Sequence, residues 1–335
     1  MIVVVLVATV LLLALLALSE QMKRSTASAP TNTSQVDATR RARTAGPAVV
    51  SVETTRADGT IAFGTGMLLT PAGEMLTNNH LIAGGTAIAV RVAGTPRPYA
   101  ATVRGYDTGN DVAVLALADG TGLPTIRLAD SRSAKAGGTV VAVGRANDAT
   151  HDLTAEPGRI AMLHQRIDAA SASLPDMMIL DAPTRPTDSG GAIVDAGGNV
   201  IGMTTAAPAG ARFAQQTSAV RSFAIPINTV IAIADRIDSG HSTKEVHVGP
   251  TATLGVAVAA RGLVTRVDTR GPAARGGITV HAVIAAIDDV PIATMTDLDA
   301  ALDTHAPGDA VHVDWAGPDG VFHSSVLRLA PAPPA

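Results

Sequence analysis

The sequence predicts a mainly β protein followed by a smaller α+β unit, with one apolar helix ahead of both. Three observations carry that prediction. Short Val/Ile/Leu-rich runs alternate with Gly, Asp and Pro from residue 49 to 225, and many short strands at close spacing indicate an all-β sandwich or barrel. The 335 residues are 47% apolar but only 2% aromatic, so the core is built from Val, Ile, Leu and Ala, while 32 Gly and 20 Pro supply turns. From Thr251 the pattern changes to strands interrupted by a helical stretch near Thr296–Thr304. A chain of this length holds about two domains, at roughly 100–200 residues each.

Residues 1–19 contain the apolar run Ile2–Leu18, broken only by Thr9. It stands at the short end of the roughly 17–25 residues that span a bilayer as a helix. No basic side chain precedes it, which favours a transmembrane anchor over a signal peptide, though Ala17-Leu18-Ser19 would serve for cleavage. Lys23 and Arg24 follow the run, and the positive-inside rule taken alone would leave the bulk of the chain in the cytoplasm. Residues 20–45 are rich in Ser, Thr, Ala, Pro and Arg without apolar periodicity, and read as a flexible tether.

Residues 46–240 hold the strand-like runs Val49–Thr54, Ile61–Leu69, Ala87–Val92, Val112–Leu117, Val140–Val143, Met177–Leu180, Ala192–Val194, Val200–Thr204 and Phe223–Ile225. A helical pattern over Asn228–Ile237 follows, with Asn228 as N-cap and Gly240 as stop. Residues 241–250 form a polar linker, 251–330 the second unit, and 331–335 a Pro/Ala-rich tail expected to fray. With 25 basic against 29 acidic residues there is no excess of positive charge, which argues against a nucleic-acid partner. The absence of cysteine excludes a disulfide scaffold, a thiol nucleophile and Cys-ligated metals, and no metal or organic cofactor is expected.

Three segments carry chemistry: Gly64-Thr65-Gly66 running on to Leu76-Thr77-Asn78-Asn79-His80, Gly109-Asn110-Asp111-Val112-Ala113, and Pro186-Thr187-Asp188-Ser189-Gly190-Gly191. A serine hydroxyl needs a neighbouring base to act as a nucleophile at neutral pH. Imidazole can take its proton, and a buried carboxylate can fix the imidazole tautomer. Glycines after a serine permit a tight turn whose N–H groups can face a developing oxyanion. The chain order His80, Asp111, Ser189 is that of the double-barrel serine proteases. Asp107 flanks the same turn as Asp111 and competes for the acid's place; the strand after Asp111 favours the latter.

At these residues the sequence resembles the HtrA/Deg family of trypsin-like serine proteases. Phe223-Ala224-Ile225-Pro226 resembles the motif that closes the family's second barrel, and the likeness extends over about Pro47–Leu329. It implies two six-stranded, chymotrypsin-like β-barrels and an α+β PDZ domain behind a transmembrane helix. His80 would be the general base, Asp111 the orienting acid and Ser189 the nucleophile, with the N–H groups of Thr187 and Ser189 as the oxyanion hole. The strand Met203, Thr204, Thr205, Ala206, Ala207 would line the substrate cleft, and Leu254, Gly255 and Val256 would form the loop that binds a peptide carboxylate. The implied substrates are unfolded or exposed polypeptides, and the implied location is the cell membrane with the catalytic part outside the cytoplasm. A homo-oligomer, often a trimer, is implied as well.

The sequence departs from the family pattern in three places. Thr187-Asp188 stands where the family has Gly-Asn, and a Thr loses glycine's freedom in φ. Pro183 lies six residues before the serine, where trypsin-type enzymes carry a carboxylate, so cleavage after an apolar residue is expected rather than after Arg or Lys. His281-Ala282 replaces a Gly-Asp in the second unit. The first departure keeps open a catalytically impaired sensor that acts through its PDZ domain. An α/β-hydrolase is disfavoured, because it needs a Gly-x-Ser-x-Gly elbow and the reverse residue order.

Overall fold

The computed structural model describes residues 32–56, 58–145, 152–168, 173–205, 222–240, 242–243 and 246–334. The first unit is two β-barrels. After helix α1 (Asn32–Ala45), barrel one is formed by β1 (Val49–Arg56), β2 (Ile61–Leu68), β3 (Glu74–Thr77), β4 (Gly85–Arg91), β5 (Tyr99–Asp107) and β6 (Val112–Leu117), with the short helix α2 (Asn79–Ile82) between β3 and β4. Antiparallel pairing runs β1–β2–β3–β6–β5–β4 and back to β1, a closed ring of six. Barrel two closes likewise from β7 (Thr139–Arg145), β8 (Leu153–Asp168), β9 (Ser173–Asp181), β10 (Ala192–Val194), β11 (Val200–Thr205) and β12 (Ser222–Pro226). Closure leaves neither sheet with free edges over most of its length.

The period-two rule of strands decides which way each side chain goes. On β7, Val141 and Val143 join the core shared with barrel one, while Val140 and Ala142 fill a separate cluster with Ile160, Met178, Leu180 and Ile193. Three barrel strands, the four-residue β3 together with β5 and β8, escape the sequence reading. β5 has alanine at two of its first four positions and so a weak apolar face, the sixteen-residue β8 carries Glu156 and Gln165 at half-buried positions, and β8 breaks register with β9 three times between Ile160 and Ile167. Bulges of this kind interrupt the alternation on which strand recognition depends. The helix after β12, α3 (Ile227–Asp238), has Pro226 as its N-cap. Asn228 is instead inside the helix and uses its side chain to accept the Ser131 N–H at 3.1 Å and donate to Asp130 Oδ1 at 2.7 Å.

The expected tether over residues 20–45 needs correction in its second half. Residues 32–45 are α1, and Ala38, Ala42 and Ala45, spaced i, i+4 and i+7, are buried on barrel two. A stripe made only of alanine gives little hydrophobic signal in sequence, but its flatness lets the helix lie close to the sheet. The expected linker 241–250 is also more than a linker. Within it β13 (Val246–Val248) adds to β5 as a seventh strand, and His247 stacks on Tyr106 at 5.0 Å between ring centres. His247 Nδ1 also lies 3.4 Å from Asp303 Oδ1 of the second unit.

That unit holds β14 (Ala252–Thr253), β15 (Val256–Val258), β16 (Val264–Val267), helix α4 (Pro272–Arg275), β17 (Val283–Ile287), β18 (Val290–Pro291), helix α5 (Met295–Leu302), β19 (Ala310–Ala316), β20 (Phe322–Arg328) and β21 (Ala330–Pro331). Its sheet order is β18-β17-β19-β20, with separate β14–β21 and β15–β16 pairs, around a core that includes Leu254, Ile284, Leu298 and Trp315. The Thr294 hydroxyl accepts the Asp297 N–H at 3.2 Å and Asp297 Oδ2 accepts the Thr294 N–H at 2.8 Å, a capping box that starts α5. The tail is held as far as Pro334: β21 pairs with β14, and the Pro334 carbonyl accepts the Gly84 N–H at 2.8 Å. Among the described residues no helix is long and apolar enough to cross a membrane. The run Ile2–Leu18 lies outside them, as do Ala206 and Ala207.

Because Ala42 is 1% exposed, a carboxylate placed there has no water and no partner. Ala42→Asp should cost about 3 kcal/mol or more, read as a fall of several degrees in Tm. An unchanged Tm would mean that α1 does not pack on barrel two in solution.

Candidate active site

β3 ends in the buried pair Leu76 and Thr77, and the chain turns at Asn78 into α2. Leu81 and Ile82 anchor that single turn in the core, which leaves His80 on its outer side. The acid comes from the β5–β6 turn. Asp107 is 1% exposed, and its two oxygens accept the Asn110 main-chain N–H at 2.8 Å and side-chain amide at 2.9 Å. It therefore builds the turn, and the neighbouring Asp111 meets the histidine. Asp111 has φ 57°, a left-handed conformation that Asp tolerates better than most residues.

From there Asp111 makes four contacts. Oδ1 accepts the His80 main-chain N–H at 2.9 Å, and Oδ2 faces His80 Nδ1 at 2.8 Å. Oδ2 also accepts the Thr205 hydroxyl at 2.6 Å, and the Asn78 amide donates to the Asp111 carbonyl at 2.9 Å. A carboxylate at Nδ1 holds the neutral ring in the Nδ1–H tautomer, so Nε2 is the basic nitrogen. His80 keeps 40% of its side-chain surface exposed while Asp111 keeps 12%, the arrangement needed for a base that exchanges protons beside a fixed charge.

Ser189 belongs to barrel two and follows the 3-10 turn Pro186–Asp188. Barrel one holds it there. The Thr65 N–H donates to the Ser189 carbonyl at 2.8 Å, and the Thr65 hydroxyl donates to the Thr187 carbonyl at 2.8 Å. Gly190 sits at φ 84°, where a Cβ would strike the Thr65 carbonyl, so glycine is required by space as well as by φ. On its other side Gly190 donates to the Thr204 carbonyl at 2.8 Å, one residue from the Thr205 that binds Asp111.

The oxyanion turn does not face outward. The Ser189 N–H donates to the Pro186 carbonyl at 3.2 Å, the Asp188 N–H to the Arg185 carbonyl at 3.0 Å, and Thr187 lies within this right-handed turn. Ser189 is 1% exposed, and among the described residues its hydroxyl makes no hydrogen bond. Beside the turn, Glu156 has its carboxyl pushed up by burial, pulled down by Arg185 at 3.9 Å and pushed up again by Asp188.

Residues 64–203 match the family model of the trypsin-like peptidase domain, and residues 263–316 that of the PDZ domain. A probable periplasmic serine endoprotease DegP-like of Pseudomonas fluorescens is 30% identical over 71% of this chain and 50% of its own length. A serine protease Do-like HtrA of Lactobacillus helveticus is 29% identical over 72% of this chain and 61% of its own. The chain thus spans about half to three fifths of these relatives. The solved structure of the HtrA-type protease AlgW with a tripeptide superposes with a TM-score of 0.53 at 27% identity, covering 89% of this chain and 98% of that one. The chain belongs to the HtrA/Deg family.

Of the strand expected to line the substrate cleft, residues 203–205 are described and turn their side chains inward, while Ala206 and Ala207 lie outside the described residues. Met203 is fully buried in the core, Thr204 is 2% exposed, and Thr205 directs its hydroxyl to Asp111. Their side chains support the site from behind. In the PDZ unit Leu254 is buried and Gly255 has φ 75°, with its N–H on the Thr253 hydroxyl at 2.9 Å. β15 pairs with β16 along one edge, and α5 runs close to β15. His281, at the family's glycine position, takes φ 72°. Residues missed in sequence are Thr65, Asn78, Arg145 and Thr154. Only Thr65 and Asn78 stood inside a recognised motif, and a hydroxyl or amide that binds main chain has no sequence signature of its own.

Removing the Thr205 hydroxyl leaves Asp111 Oδ2 with one donor fewer. A hydrogen bond to a charged group is worth about 1.5–3 kcal/mol, so Thr205→Val should lower kcat/KM roughly 10- to 100-fold with the fold intact. Asp107→Asn should instead lower Tm, since it weakens the turn; a larger loss of activity from Asp107→Asn than from Asp111→Asn would reverse the assignment of the acid.

Proposed function

We propose that the chain is a serine endopeptidase anchored by its N-terminal apolar run, and that it rests with its oxyanion turn closed. The observation that carries this is the His80–Asp111 pair held 2.8 Å apart on one barrel, with Ser189 tied to the same barrel through Thr65. Once the turn opens, His80 Nε2 takes the Ser189 proton as Oγ attacks the scissile carbonyl, and Asp111 stabilises the imidazolium. The N–H groups of Ser189 and Thr187 receive the oxyanion. The tetrahedral adduct collapses as His80 returns the proton to the leaving amine, and water hydrolyses the acyl-enzyme by the same route. Substrates are unfolded or exposed polypeptides, cleaved after apolar residues. The relatives named periplasmic support an extracytoplasmic protease domain, and a homo-oligomer follows from the same likeness.

A second reading is a peptide-binding sensor without turnover. It is favoured by the Ser189 N–H on Pro186 and by Thr187 in place of glycine. The two readings part on a fluorophosphonate probe, which bonds covalently to an activated serine. The protease reading expects labelling of the purified protein that is abolished by Ser189→Ala and His80→Ala, whose hydrolysis should fall on the order of 10⁶-fold. It also expects Thr187→Gly to raise basal labelling, because glycine accepts conformations costly to a β-branched residue. No labelling in any variant or with any peptide would leave the sensor.

Peptide binding itself is tested at Leu254–Val256. If the loop holds a chain-terminal carboxylate while the peptide adds as a strand to β15, amidating the peptide should cut affinity at least tenfold in calorimetry. Equal affinities would remove this mode.

A further inference from the structure

Resting on the protease reading above, we propose that Asp188 is the latch of the closed turn: its buried carboxylate keeps residues 185–188 wound, and so keeps the Ser189 N–H on Pro186.

Asp188 is 2% exposed. Its Oδ2 accepts the Arg185 main-chain N–H at 2.7 Å, and its Oδ1 accepts the Thr154 hydroxyl at 2.9 Å. Thr154 in turn accepts the Gly144 N–H at 3.1 Å, which ties the carboxylate to the β7–β8 wall of barrel two. A methyl group on Gly144 would collide with the carboxylate, so the wall is shaped around it. Among the described residues no cation pairs with Asp188; of its charged neighbours Glu156 has the same sign, and the Arg185 guanidinium lies toward Glu156 at 3.9 Å. A buried charge without a counter-ion depends on its hydrogen bonds, and bonds to an ionised acceptor are the strong ones.

The Arg185 bond makes Asp188 a latch and not merely a well-seated side chain. It spans the same four residues as the turn, alongside the Asp188 N–H bond to the Arg185 carbonyl. Freeing the Ser189 N–H from Pro186 unwinds that turn and breaks the Arg185 bond with it. The carboxylate therefore favours the closed form differentially, which is the condition for shifting a population. Asp188 acts through the main chain of the turn and is a positioning residue.

The decisive experiment measures the rate of fluorophosphonate labelling of Ser189 in Asp188→Asn and Thr154→Val, each with its Tm and with Ser189→Ala as control. Asn keeps one acceptor oxygen for the Arg185 N–H but presents an NH₂ in place of the second, so the charge and the bond donated by the Thr154 hydroxyl are both lost. Thr154→Val removes the second support without touching the turn, and serves if Asp188→Asn does not fold. Both should label on the order of tenfold faster than the wild type, and should gain less from added C-terminal peptide. Loss of structure alone would lower the rate, not raise it. Rates equal to or below wild type in folded variants overturn the latch while leaving the protease reading, as does a wild type whose rate no peptide can raise. Absence of labelling in every protein overturns the protease reading itself.

Discussion

The site depends on one main-chain hydrogen bond between the barrels, from the Thr65 N–H to the Ser189 carbonyl. Barrel one carries His80 and Asp111; barrel two carries Ser189. Neither half has any chemistry alone. Thr65 is fully buried with every polar group paired: its N–H donates to Ser189 and its hydroxyl donates to the Thr187 carbonyl while accepting the Arg145 N–H, all across the joint, and its carbonyl accepts the Thr77 hydroxyl within barrel one. A second crossing runs from Thr205 to Asp111. A third comes from Arg145 of β7, whose guanidinium reaches the Val49 and Gly46 carbonyls at 2.8 Å each. Burial pulls the Arg145 pKa down and Asp152 opposes it, and the two carbonyl oxygens fix the cation in the seam.

These crossings explain why small polar residues occupy a seam that aliphatic residues could fill. A Val in place of Thr65 would pack equally well but leave a carbonyl and an N–H unpaired in the interior, each a cost of about 1–3 kcal/mol. Hydrogen bonds fix distance and direction where packing fixes only proximity, and acyl transfer between residues on separate barrels needs both.

Much of the site was legible in the sequence because its residues occur in runs. His80, Asp111 and Ser189 each stand beside glycine, asparagine or buried aliphatics that mark the local turn, and their order along the chain reduces the number of folds that could unite them. What was not legible came from contacts distant in sequence. Nothing near Thr154 shows that it supports Asp188, and nothing near Ala38 or Ala42 shows that barrel two provides a flat surface for them. The same holds for the fold. A strand that is one continuous apolar run, such as β6, was read to the residue; β8, bent by three register shifts, was not. His247 read as part of a polar linker because its burial comes from Tyr106 and β5, more than a hundred residues earlier.

The closed turn sets the energetic scale of activation. Opening it gives up the Ser189 bond to Pro186, the Asp188 bond to Arg185, and the charge-assisted Arg185 bond to the Asp188 carboxylate. Two neutral bonds at about 0.5–1.5 kcal/mol each and one charged bond at about 1.5–3 put the gross loss at about 2.5–6 kcal/mol. Water regained by the freed groups reduces it. The return is an oxyanion hole, in which a single donor is worth about 2.7–4 kcal/mol. The opposing sums are comparable, so a closed resting form and a productive open form can be separated by only a few kcal/mol. On the proposed reading, a polypeptide that binds the open form better by that margin is enough to open the turn, whereas one that binds both forms equally leaves it closed however tightly it is held.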